Sequence, residues 1–101
     1  MIIKTLTTAD KVPFNLDGRK MYTGQKVELI HLCLKPGEVL EKHVNAFDVV
    51  FYILEGNGIV ETDDQSASVE PDMSIEIESG VNRGVRNTGD SNLSLLVVKI
   101  F

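Results

Sequence analysis

The sequence predicts an all-β chain folded as an antiparallel sandwich or barrel. No segment keeps an i, i+3, i+4, i+7 apolar face for three turns, so helix signals are poor. Short runs rich in β-branched and aromatic residues recur instead, broken by Gly, Asn, Asp or Pro roughly every eight to twelve residues. The 101 residues, 43% of them hydrophobic, suffice for one core without disulfide staples. One domain over residues 1–101 is expected, and about ten short strands in that length suggest an antiparallel jelly roll.

Taken in order, Met1 to Leu6 reads as a first strand and Thr7 to Asp10 as a turn. Val12 to Leu16 leads into Asp17-Gly18, a dipeptide suited to a type I′ hairpin, with Arg19 to Tyr22 returning. Thr23-Gly24 turns into Lys26 to Lys35, KVELIHLCLK, whose even positions from Ile30 onward are apolar, as are its odd positions from Val27 to Cys33 apart from His31. Such a strand is covered on both sides, as in a sandwich wall or an oligomer interface. Pro36-Gly37 opens a strand carrying His43, and a turn near Asn45 and Ala46 leads back through VVFYIL to Glu55-Gly56. Gly58 to Thr62 pairs with Ser66 to Val69 across Asp63-Asp64. Pro71-Asp72 turns into Met73 to Glu78, Ser79-Gly80 breaks the run, and Arg83 to Asn87 follows. Gly89 to Asn92 turns into Leu93 to Phe101, again apolar on both sides.

Composition excludes several functions. A net charge of −5 with no Lys/Arg run argues against a nucleic-acid surface. No apolar run approaches the roughly 20 residues of a membrane-spanning helix. MIIKTLTTADK turns polar too soon for a secretory signal, so a cytoplasmic protein is expected. The single cysteine, Cys33, has no internal disulfide partner and reads as a buried small hydrophobe.

Two stretches have similar grammar, Pro36 to Gly56 (PGEVLEKHVNAFDVVFYILEG) and Pro71 to Asn87 (PDMSIEIESGVNRGVRN). Their spacing resembles the two motifs of the cupin superfamily of small β-barrels. In the first motif Gly37 is followed by five residues and His43, the second histidine position is Asn45, the glutamate position is Val49, and Gly56 closes it. In the second, the opening glycine is Asp72, the proline is Glu78, Gly80 is kept, the histidine is Arg83, and the asparagine is kept as Asn87. The resemblance covers about Lys26 to Phe101. It implies a cupin double-stranded β-helix, and homodimerisation through the outer apolar strands. Metal-binding cupins use three histidines and a carboxylate, a set suited to divalent first-row metals. One of the four remains, and Arg83 puts a permanent positive charge where the cation would sit. No metal or other cofactor is therefore expected; if a metal bound, His43 would be its ligand, with Asp48 or His31 as candidate replacements for lost partners.

Strand alternation puts His43, Asn45, Val49, Phe51 and Ile53 on one face, and Arg83, Val85 and Asn87 on another. In a cupin barrel these faces point inward. The expected ligand-binding set is His43, Asn45, Val49, Phe51, Arg83 and Asn87, with Phe47 and Val85 as further walls. Arg83 offers a fork of donors for a carboxylate or phosphate. Three functions follow: a metal-independent cupin binding an anionic or polyhydroxy small molecule; a metal-free isomerase, epimerase or lyase with His43 as acid/base and Tyr22 as the only tyrosine open as its partner; and a divergent metal-dependent enzyme centred on His43. Each residue also has a plainer role. His43 hydrogen-bonds a backbone carbonyl or Asn45, Arg83 pairs with Glu76, Glu78 or Asp48, Asn45 holds a bend, His31 is a wall residue, and Glu61, Asp63 and Asp64 are a solvated turn.

Overall fold

The computed structural model describes residues 1–101 and contains no helix. Its strands are β1 (Asp10–Lys11), β2 (Asp17–Thr23), β3 (Val27–Leu34), β4 (Val39–His43), β5 (Asp48–Glu55), β6 (Gly58–Thr62), β7 (Ser66–Val69), β8 (Ser74–Ile77), β9 (Arg83–Arg86) and β10 (Leu93–Ile100). They make two sheets, of order β1-β2-β3-β10-β5-β8 and β4-β9-β6-β7. Every pairing is antiparallel. The all-β, double-stranded β-helix expectation holds.

Period-two alternation explains the core. In β3 the even residues Ile30, Leu32 and Leu34 are buried; in β5 Val49, Phe51 and Ile53; in β10 Leu93, Leu95 and Val97. They face Val60 and Val85 of the smaller sheet in one apolar cluster. Each such fully buried side chain contributes roughly 1.5–3 kcal/mol. Gly56 closes the first motif because its φ of +80° suits glycine, and because an added Cβ would run into the Asn92 carbonyl.

The amino-terminal part departs from the expected strands. Met1 to Leu6 is not a strand: no neighbour offers it a ladder, Ala9 N donates to Thr5 O at 2.9 Å, and the Thr5 and Thr8 side chains tie a turn. Asp17-Gly18 is not the hairpin turn either. Both residues lie in β2, and the connection runs through Val12 to Leu16, where Pro13 has no N–H for a ladder. Gly18 packs closely against that connection: an added Cβ would stand 3.0 Å from the Phe14 ring and 3.2 Å from Val12, so those side chains would have to shift slightly to admit it.

The long strands are covered on one face only by this chain. The odd residues of β3 (Val27, Leu29, His31, Cys33) are half-buried on the outer surface. Cys33 is thus not a core residue, because it has the opposite parity to Leu32 and Leu34. No helix is long and apolar enough to cross a membrane.

Candidate functional site

A cavity of about 470 Å³ opens between the sheets at one end of the barrel. Phe51, Leu32, Ile30 and Val97 of the larger sheet form its floor, Leu40 and Val39 one wall, and Val12, Phe14 and Leu16 of the β1–β2 connection another. Its polar lining is Arg83, His43, Asn45, Asn15, Glu41, Lys42 and Lys99.

His43 reaches this cavity through a β-bulge. Between β4 and β9, Leu40 pairs with Val85 and His43 with Arg83, so Glu41 and Lys42 together oppose Gly84. The extra residue restores His43 to the side of Leu40 and brings Glu41 and Lys42 to the mouth. Gly84 permits the bulge: a Cβ there would lie 2.7 Å from Leu40 O and 3.0 Å from Lys42 N. His43 is exposed at the mouth, and its Nδ1 lies 3.0 Å from the Glu41 carbonyl oxygen. Nδ1–H donating there leaves Nε2 as a free acceptor.

Arg83 is 3% exposed. Its Nη1 donates to the His43 carbonyl at 3.2 Å. With the Asn45 amide turned to present Oδ1, that oxygen accepts from Nη2 and from Nη1, the latter at 3.2 Å, while Asn45 Nδ2 donates to Val44 O at 3.2 Å. Asn45 is itself fixed by Gly80 N, which donates to its carbonyl at 2.9 Å and so ties the two motifs together. Arg83 Nε is buried with no partner. No carboxylate pairs with Arg83. Asp48 Oδ1, one of the expected partners, instead accepts from Ser79 N at 2.8 Å. Burial lowers the Arg83 pKa, yet a guanidinium keeps its proton at neutral pH. The site therefore holds a desolvated cation with neutral oxygens around its terminal nitrogens and no counter-ion.

The other cations at the mouth are neutralised. Lys42 pairs with Asp63 at 3.1 Å, and Lys99 with Glu28 at 3.2 Å. Asp63 stands exposed in the β6–β7 turn, as expected, and there Lys42 and then Asn82 donate to it and lower its pKa. Glu61 likewise pairs with Arg86 at 3.2 Å.

Of the expected ligand-binding residues, His43, Asn45, Phe51 and Arg83 meet at the cavity. Val49 and Asn87 do not, and this corrects the expected set. Val49 is packed into the core, 1% exposed, and does not line the cavity. Asn87 is a structural residue: its Nδ2 donates to Leu34 O and Ser91 O, both at 2.9 Å, and its Oδ1 accepts from Gly89 N at 3.0 Å. Phe47 packs edge-on against Phe101 and is not a wall of the cavity. Tyr22 lies exposed, folded over Gly24, and so does not partner His43. Tyr52 donates to Asp72 on the outside, which raises its pKa. His31 lies on the outer face of β3 with Nδ1 unpartnered. The β1–β2 walls and the mouth residues Glu41 and Lys42 went unread in the sequence; only a glycine opposite a polar pair hinted at the bulge.

The donor set does not fit a divalent cation. No three His, Cys, Asp or Glu side chains converge. At the four ligand positions stand one imidazole, an amide oxygen already engaged by a guanidinium, a methyl-bearing side chain and the guanidinium itself. Asp48 makes no substitute, because β5 runs against β8 from Val49 to Tyr52 with no register shift to turn it inward.

Fold and site together describe a small double-stranded β-helix barrel with a cavity between its sheets. The family model for the cupin domain matches residues 30–99, and the chain belongs to that family. A protein from Thermus thermophilus of solved structure is 30% identical, with a TM-score of 0.84 over 99% of this chain and 97% of that one. The polyketide cyclase RemF from Streptomyces resistomycificus is similar at 19% identity and a TM-score of 0.86, over 99% of this chain and 79% of that one. A predicted oxalate decarboxylase from Thermotoga maritima is similar at 21% and 0.80, over 85% and 80%. At these last two identities the likeness is one of fold alone. A comparison with curated proteins gives no match.

Proposed function

We propose that the protein is a metal-independent small-molecule-binding cupin whose barrel cavity takes an organic ligand, anionic or polyhydroxy, against Arg83. One observation carries this reading: a 3%-exposed guanidinium lines an open cavity with no carboxylate paired to it. A buried charge without a counter-charge is costly to fold. An incoming anion would supply the missing partner, and His43 Nε2 at the mouth would add a hydrogen bond. The catalytic reading, with His43 as acid/base, lacks the tyrosine hydroxyl it calls for, since Tyr22 and Tyr52 both stand outside the cavity.

The test is elemental analysis of protein purified without affinity tag or chelator, with thermal shifts against Mn, Fe, Co, Ni and Zn. Substoichiometric metal and no shift are expected, while at least one compound in a screen of carboxylates, sugar acids and sugar phosphates raises the melting temperature. One equivalent of metal per chain, lost in His43→Ala, would overturn the reading.

A further inference from the structure

Within this cavity reading, on which the inference rests, we infer that the ligand is a monocarboxylate with an apolar body, and that sugars and phosphates are poor occupants.

Charge decides the head group. Arg83 is the only cation at the cavity without an anionic partner; Lys42 is held by Asp63 and Lys99 by Glu28. Glu41 adds a negative charge at the mouth. One uncompensated positive charge balances one negative charge. A phosphate carrying nearly two would bring surplus charge into a site with a low dielectric and acidic company. A guanidinium has five N–H groups. A single oxygen within reach of both terminal nitrogens sits between them, as Asn45 Oδ1 does here, and the His43 carbonyl takes a further Nη1 hydrogen. Nε–H and the remaining Nη2–H are left without a protein acceptor. They belong to one edge of the planar group, the edge whose spacing matches the two oxygens of a carboxylate; Nε is sealed from solvent, so a carboxylate engages both only by displacing the side chains that cover it.

The walls decide the body. Phe14, Leu16, Ile30, Leu32, Phe51 and Val97 give an aliphatic and aromatic lining. A polyhydroxy ligand would need a partner for each hydroxyl it buries. The polar groups present are mostly engaged: Asn45 with Arg83 and Val44, His43 Nδ1 with Glu41 O. What remains for hydroxyls, His43 Nε2, Asn15, Glu41 and the spare N–H groups of Lys42 and Lys99, stands on exposed or mouth residues, whereas an apolar chain or ring against the aliphatic and aromatic walls needs none. At the ~30 Å³ that one water occupies in the liquid, 470 Å³ admits roughly 15 non-hydrogen atoms. Acids such as octanoate or 3-phenylpropanoate are of that size or smaller.

The experiment measures binding of octanoate and 3-phenylpropanoate by calorimetry, each beside its primary amide, with gluconate and glucose 6-phosphate as controls. Wild type and Arg83→Met are compared. The amides keep the shape and remove the charge, so the comparison stands even if the variant folds badly. The acids are expected to bind wild type about 10- to 100-fold more tightly than their amides, and Arg83→Met to lose that preference. Acid and amide binding equally well would overturn the inference, as would full acid affinity in Arg83→Met. Binding of gluconate or glucose 6-phosphate in place of the acids would overturn the carboxylate class and leave the anion cavity standing. Binding of none of these compounds would sink both.

Discussion

Asn87 and Arg83 make an instructive pair. They lie on one strand path with the same parity, and both are almost sealed, at 4% and 3% exposure. Asn87 spends every bond on the protein: two carbonyls accept from its amide and one N–H donates to it. Arg83 is left with a buried, unpartnered Nε and no counter-ion. A buried polar group with all its bonds made holds the barrel together. A buried charge lacking its partner is a cost that folding alone does not explain, and it sits where the barrel opens.

The sharpest way to break this contrast is to remove the amide. Asn87→Ala strands the Leu34 and Ser91 carbonyls and the Gly89 N–H at the closed end. A loss of about 2–4 kcal/mol is expected in urea denaturation. A loss below about 0.5 kcal/mol would show that Asn87 is not the clasp its bonds suggest, and the contrast with Arg83 would lose its structural half.

How far this division was legible follows from the residues. The second-motif glycine is replaced by Asp72, yet its φ is +68°, in the left-handed region that aspartate tolerates. Spacing therefore read the backbone correctly where identity did not. The core was legible because alternation writes it directly: Val49, Phe51 and Ile53 are all inside. Alternation also misassigned Val49 and Asn87, since parity says which face a side chain takes but not how deep it lies along the barrel. Met1 to Leu6 failed for a different reason. A β-prone run becomes a strand only when a neighbour offers it a ladder, and that information is not local. The walls from Val12 to Leu16 were missed because Asp17-Gly18 took the turn assignment, whereas Gly18 lies in β2, packed close to Phe14.

The bulge opposite Gly84 sharpens the comparison at the open end. Gly84→Ala puts a Cβ 2.7 Å from Leu40 O and 3.0 Å from Lys42 N, both backbone atoms that give only if the two strands part. A cost of about 1–3 kcal/mol is expected, with displaced His43 ring signals in the NMR spectrum. Unchanged stability with unchanged His43 signals would mean that the bulge is held by something other than this close approach.

The smallest effect is expected at the rim, where Asp63 joins the β6–β7 hairpin to Lys42 and Asn82. Those donors hold its carboxyl below the ordinary value of 3.8. A carboxyl depressed in the folded state contributes stability above its unfolded pKa and loses it as pH falls through the folded value. The pair is exposed, so water and salt screen it. Asp63→Asn keeps an acceptor for Asn82 and removes the charge. At neutral pH and low salt its urea midpoint should sit only slightly below that of wild type. The gap should close as the pH drops below the depressed Asp63 value, and also at about 1 M salt. A gap that persisted under both conditions could not come from an exposed charge pair. The hairpin would then belong with Asn87 among the groups that hold the barrel together, and the mouth would be far less free to admit a ligand than the screened pair implies.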